Sequence, residues 1–110
     1  MATEHVFHVA LAADWAAARE AGDYRVSSLG RTLEEEGFLH ASYAHQWAGV
    51  LAAYYSEVQE PLVLLEIDPD LLDVPLVVEA PAGSEPGAAE FPHLYGPLAV
   101  DAVVAVTPLR

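Results

Sequence analysis

The chain is predicted to fold as an α+β domain: a small mixed or antiparallel sheet of about five strands with one long and one short helix. Apolar runs of strand length recur along it, Leu62–Ile67 and Ala102–Val106 among them. One stretch, Tyr43–Ser56, instead spaces Trp47, Val50, Leu51 and Tyr54 as a helix face would. Turn-forming residues separate these segments, and neither a repeat nor an interdomain linker is visible, so all 110 residues are expected to form a single domain.

In chain order, His5–Ala10 reads as the first strand. Asp14 then suits an N-cap for a short helix, Trp15–Glu20, stopped at Gly22. Tyr24–Leu29 fits either strand or loop. Thr32 caps a single turn, Leu33–Glu36, closed by Gly37. Phe38–Ala41 is a strand and Tyr43–Ser56 the main helix. Leu62–Ile67, apolar apart from Glu66 and ended by Asp68-Pro69, reads as a central strand. A turn at Asp70–Leu72 and a strand at Leu76–Ala80 follow. Pro81–Glu90 is an Ala-, Gly-, Pro- and Glu-rich surface loop, and Ala102–Val106 is the last strand.

Two segments concentrate chemistry. In Glu36-Gly37-Phe38-Leu39-His40-Ala41-Ser42, strand alternation sends Phe38, His40 and Ser42 to one face and Leu39 and Ala41 to the other. In Phe91-Pro92-His93-Leu94-Tyr95-Gly96-Pro97-Leu98, two prolines stiffen a segment carrying His93 and Tyr95. His8, on the opposite face of the first strand from Phe7 and Val9, is a third candidate. Each has an ordinary structural alternative. Ser42 can cap the helix by accepting from the backbone of His45, and His40 can be a core histidine bonded to a carbonyl. Proline rigidity alone can account for the His93–Tyr95 segment. Glu79 is either a water-facing carboxylate on an edge strand or a group turned toward the site. His5 and His45 read as surface residues, and Glu34–Glu36 as a solvated turn.

Composition narrows the function further. The chain has no cysteine, which excludes disulfides, thiolate nucleophiles and cysteine-held metal centres, and fits a reducing compartment. Its apolar runs fall far short of the ~20 residues a membrane helix needs. Met1–His5 lacks the basic start and apolar core of a signal peptide, so a cytoplasmic protein without membrane association is expected. Four arginines, no lysine and seventeen acidic residues give a net charge of −13, which opposes nucleic-acid partners. A small anionic ligand remains compatible, because one arginine such as Arg25, or a set of backbone amides, can hold a phosphate.

The Phe7-His8 pair, EGFLHAS, LVLLEID, VVEA and FPHLYGPL occur in the order found in the domain of unknown function 952 family, which the chain resembles from about His5 to Leu109. These small bacterial proteins are grouped with the ADP-ribosyltransferase superfamily. The resemblance therefore implies an ADP-ribosyltransferase-like fold and a cleft for NAD or an ADP-ribose-like nucleotide. FLHAS is similar to the His-x-Ser strand of RNA 2'-phosphotransferases and Phe7-His8 to their first-strand Tyr-His. This implies that His8 and His40 hold ribose or phosphate oxygens beside Ser42. Glu79 is the match to the transferase glutamate, which stabilises positive charge as nicotinamide leaves. The arginine set used on phosphorylated RNA has no counterpart here.

Three functions follow as alternatives. The first is a nucleotide-binding or transferase-like domain, with His8, His40 and Glu79 as catalytic groups, Ser42, His93, Tyr95 and Arg25 as ligand contacts, NAD as possible substrate, and no metal. The second is a non-catalytic metabolite- or peptide-binding module using the same cleft. The third is a metal-dependent hydrolase using His8, His40, His93 and Glu79, although no close ligand spacing such as H-x-x-x-H supports it.

Overall fold

The computed structural model describes residues 3–80 and 83–110. Its elements in order are β1 (Val6–Leu11), α1 (Ala12–Ala21), β2 (Asp23–Tyr24), β3 (Val26–Ser28), β4 (Arg31–Thr32), α2 (Leu33–Glu36), β5 (Leu39–His40), α3 (Trp47–Tyr54), β6 (Leu62–Ile67), β7 (Leu76–Glu79), β8 (Phe91–Leu94), β9 (Leu98–Ala99) and β10 (Val103–Pro108), with single 3-10 turns at Pro69–Leu71 and Val100–Ala102. It is a mixed domain with antiparallel sheets and few helices. Among the described residues every strand pair is antiparallel, and the sheet is divided: β1-β6-β10, β5-β8-β7, and the two-stranded pairs β2-β9 and β3-β4.

β6 is the central strand of its sheet, as its apolar run predicts, and both of its faces are covered. Val63, Leu65 and Ile67 join a cluster with Val6, Ala10, Trp15 and Ala18, so α1 packs on that side. Leu62 and Leu64 join Val9 and Tyr55 on the other, against α3. Alternation on β5 and β8 adds Leu39, Ala41 and Leu94 to the first cluster, leaving His40 and His93 on the opposite face.

The capping predictions divide. Thr32 and Glu35 form a reciprocal capping box on α2, and Gly37 ends that helix at φ 87°, a left-handed conformation a side chain would resist. Asp14 is not a cap: α1 starts two residues earlier, where the Ala12 N–H donates to the Pro61 carbonyl, and Asp14 lies in the first turn, favourably placed in the helix dipole. The expected main helix shrinks to eight residues, two fewer than α1, because Tyr43–Gln46 forms turns and the Gln46 side chain accepts from the Tyr43 N–H. Tyr54, expected on its apolar stripe, is 74% exposed; Tyr55 is buried instead. The ambiguous Tyr24–Leu29 stretch holds the end of β2 and all of β3. The first two residues of the expected loop Pro81–Glu90 lie outside the described residues, and Gly83–Glu90 contains no helix or strand.

Two consequences are measurable by denaturant unfolding. Leu65, fully buried, should lose about 2–5 kcal/mol on replacement by alanine, whereas partly buried Leu51 should lose clearly less. At Gly96 a β-carbon would lie 2.5 Å from Val74 Cγ1. Gly96→Ala should therefore destabilise by roughly 1–3 kcal/mol, and Val74→Ala in the same chain should restore much of the loss.

Candidate functional site

The segment Leu39–Ser42 joins the two three-stranded sheets. Toward β8, Leu39 pairs with Leu94 and His40 with His93, and the Ala41 N–H donates to the Pro92 carbonyl. Toward β1, Phe7 and Ser42 exchange two backbone hydrogen bonds of 2.6 and 2.7 Å. That contact is a single bridge. Beyond it β1 and the Leu39–Ser42 segment part, and side chains serve the carbonyls that a continued ladder would have used. His8 Nδ1 lies 2.5 Å from the His40 carbonyl, and the Tyr55 hydroxyl approaches the Val9 carbonyl at 3.5 Å.

A cavity of about 400 Å³ opens at this parting. His8, His40, Ser42 and His93 all line it, with Ser27, Ser28 and an apolar wall that includes Phe7, Phe91, Val50 and Tyr54. The Ala41–Pro92 bond makes His40 and His93 the adjacent, non-hydrogen-bonded pair of the ladder, where facing side chains come closest. Their rings meet edge to face at 5.3 Å, and Phe38 stacks on His93 at 4.2 Å.

The histidines differ in what they have left to offer. His8 is buried, and a carbonyl only accepts, so Nδ1 carries the proton. Nε2 then accepts from the Tyr24 hydroxyl at 3.0 Å, which leaves His8 no free ring nitrogen. Burial pushes its pKa down to about 4, so the ring is neutral near pH 7. Burial likewise pushes the Tyr24 hydroxyl up, keeping it a donor. His40 is half-exposed rather than a core residue, and its Nε2 lies 3.3 Å from Glu36. His93 is 1% exposed; its Nδ1 is 2.7 Å from the Glu79 carboxylate, and its Nε2 has no hydrogen-bond partner among the described residues.

Three residues expected at the site lie outside the cavity wall. Glu79 is on the edge strand β7, where its carboxylate accepts from the Tyr95 hydroxyl and from His93. Those two bonds, the Tyr95 one the larger influence, hold it below the usual carboxylate range, and the carboxylate in turn raises the Tyr95 pKa. Glu79 thus reaches the cavity only through His93. Tyr95 packs beside Phe38, its ring centroid 5.4 Å away. Arg25 is exposed and bonded to Asp23 and Glu34, since a free cation on this acidic surface finds carboxylates nearer than the cleft. Ser42 does not cap α3: that helix begins five residues later, and the backbone of Ser42 is committed to Phe7. Nor do His8, His40, His93 and Glu79 make a metal centre, because no three His, Asp or Glu side chains among the described residues converge on a common point. Tyr24, Ser27 and Tyr55 stand in no sequence motif, yet their hydroxyls satisfy His8, the Phe38 carbonyl at 2.5 Å and the Val9 carbonyl. Their spacing carries no signal, because their partners are distant in sequence.

The depressed pKa of His8 has a sign. The unfolded chain takes up a proton at His8 near pH 6.5 and the folded chain only near 4, so this contribution is present above pH 6.5 and lost as the pH falls through that window. The slope should approach about 1.4 kcal/mol per pH unit. Denaturant unfolding between pH 7 and 4 should show this fall in the wild type and a flatter profile in His8→Gln.

The chain matches the family described as protein of unknown function (DUF952) over residues 9–106. It is also similar to protein CC0527 from Caulobacter crescentus. The crystal structure of that protein has a TM-score of 0.79 at 30% identity, covering 96% of this chain and 86% of that one. A double mutant of the same protein gives a TM-score of 0.73 at 28% identity, with the same coverage. Its solution NMR structure gives 0.66 at 28% identity, covering 94% of this chain and 82% of that one. No curated protein matches the chain. With residues 9–106 matched by the family and the overall fold shared with CC0527, the chain belongs to the DUF952 family of proteins of unknown function.

Proposed function

We propose that the cavity at the parting of β1 and Leu39–Ser42 binds a small nucleotide-derived molecule, of the NAD or ADP-ribose kind, in an ADP-ribosyltransferase-like domain. The observation that carries this reading is the cavity itself. Its volume of about 400 Å³ suits a small ligand, and its wall joins aromatic faces, for a planar ring, to imidazoles and hydroxyls, for sugar oxygens. Among the described residues no arginine or lysine lines it. The ring and sugar therefore enter, and any phosphate stays at the solvent-exposed mouth.

Binding without chemistry is the second reading, and a specific observation favours it. Both nitrogens of His8 are occupied by structural bonds, and Glu79 is shielded from the cavity by His93. A transferase role for Glu79 would require its carboxylate to leave Tyr95 and His93. On the binding reading, His40, Ser42 and His93 are recognition groups.

Melting curves with NAD, ADP-ribose and adenosine test both readings. At tenfold excess over Kd a ligand adds about 1.4 kcal/mol, a rise of several degrees for a domain of this size. The rise should shrink in His40→Ala and Ser42→Ala, provided their ligand-free curves match the wild type. Nicotinamide release from NAD would establish chemistry, and its absence alongside a thermal shift would leave the binding module. No shift with any of the three at millimolar concentration would remove the nucleotide reading.

A further inference from the structure

His93 is held on every side but one. Phe38 stacks on its ring with an interplanar angle of 21°, and His40 stands edge-on at 86°. Nδ1 is tied to Glu79, whose second bond, to the Tyr95 hydroxyl, fixes the carboxylate in turn. An ionised carboxylate only accepts, so Nδ1 carries the proton, and in the neutral ring Nε2 is a bare lone pair. That atom is buried and has no hydrogen-bond partner among the described residues. Glu79 holds the Nδ1 edge and is not part of the cavity wall, whereas His93 is. A buried acceptor without a donor is a cost to the free protein, and a ligand donor removes it.

We propose that His93 Nε2 is the acceptor of a built subsite for a neutral O–H or N–H donor on the ligand, with Glu79 and Tyr95 as positioning residues that hold the tautomer. This rests on the small-molecule reading of the cavity and adds what the ligand must carry at that point: a hydroxyl of a sugar or the N–H of an amide. In the neutral tautomer a carboxylate or phosphate oxygen placed there would face a lone pair and be rejected.

Nitrogen-15 NMR of the histidine rings tests the tautomer without any ligand. In the wild type and in Glu79→Gln, whose amide oxygen still accepts, His93 should be protonated at Nδ1 alone. In Glu79→Leu the proton should redistribute toward Nε2, and Tyr95→Phe should do so partially. A wild-type ring with its proton at Nε2 overturns the proposal, as does an unchanged tautomer in Glu79→Leu.

Titration with ribose, nicotinamide, ADP-ribose and NAD then tests the subsite. At least one should move the Nε2 resonance, and His93→Phe, which keeps the ring stacked on Phe38, should bind that probe roughly tenfold more weakly. A response to ribose but not nicotinamide identifies a hydroxyl donor, and the reverse an amide. If NAD or ADP-ribose raises the melting temperature but leaves Nε2 unmoved, the subsite is refuted while the nucleotide reading stands. If ribose or nicotinamide moves Nε2 while neither nucleotide binds, the subsite stands and the nucleotide reading falls. If none of the four moves Nε2, the proposal is wrong.

Discussion

The hydrogen bond from His8 Nδ1 to the His40 carbonyl sets the character of this molecule. Two strands that begin to pair at Phe7 and Ser42 would normally continue pairing and close the sheet. An imidazole inserted into the ladder satisfies the carbonyl that closure would have used and spaces the strands at the same time. The Tyr55 hydroxyl serves the Val9 carbonyl across the same opening. Buried backbone groups must be satisfied, so a cavity between strands can persist only where side chains replace the missing ladder. Here two do, and Tyr24 locks the first of them through its other nitrogen.

The second constraint is strand alternation. Leu39, Ala41 and Leu94 fill one cluster, while His40 and His93, offset by one residue, turn to the cavity. Core and site are thus two faces of the same few residues, and a register slip by one would exchange them. Pro92 is buried in the middle strand of its sheet, where it accepts from Ala41 but has no N–H to return.

Charge is partitioned by the fold. The net of −13 lies on the outside, where Arg25 and Arg31 are already engaged by Asp23, Glu34 and Glu36. Among the described residues the cavity wall contains no carboxylate and no arginine, and its polar side-chain groups are imidazoles and hydroxyls. On the proposed reading, recognition inside it would be a matter of hydrogen-bond direction and ring packing more than of long-range attraction, and direction is what the Glu79–His93–Tyr95 arrangement would supply.

Local pattern determined much by itself. The apolar run Leu62–Ile67 specified a central strand, and Thr32 and Gly37 bounded a single helical turn, because each depends only on neighbours within a few residues. Tertiary structure decided the rest. The long apolar stripe became a short helix because Tyr43–Gln46 turns before it, and Asp14 lost its cap to a bond between Ala12 and Pro61, forty-nine residues apart. Whether His8 is a ligand group or a clamp, and whether Glu79 faces the cleft or stands behind His93, depends on partners brought from other strands. Side-chain chemistry is written in the sequence, but a nitrogen's freedom to bind is set by what the fold places within 3 Å of it, as Tyr24 does for His8.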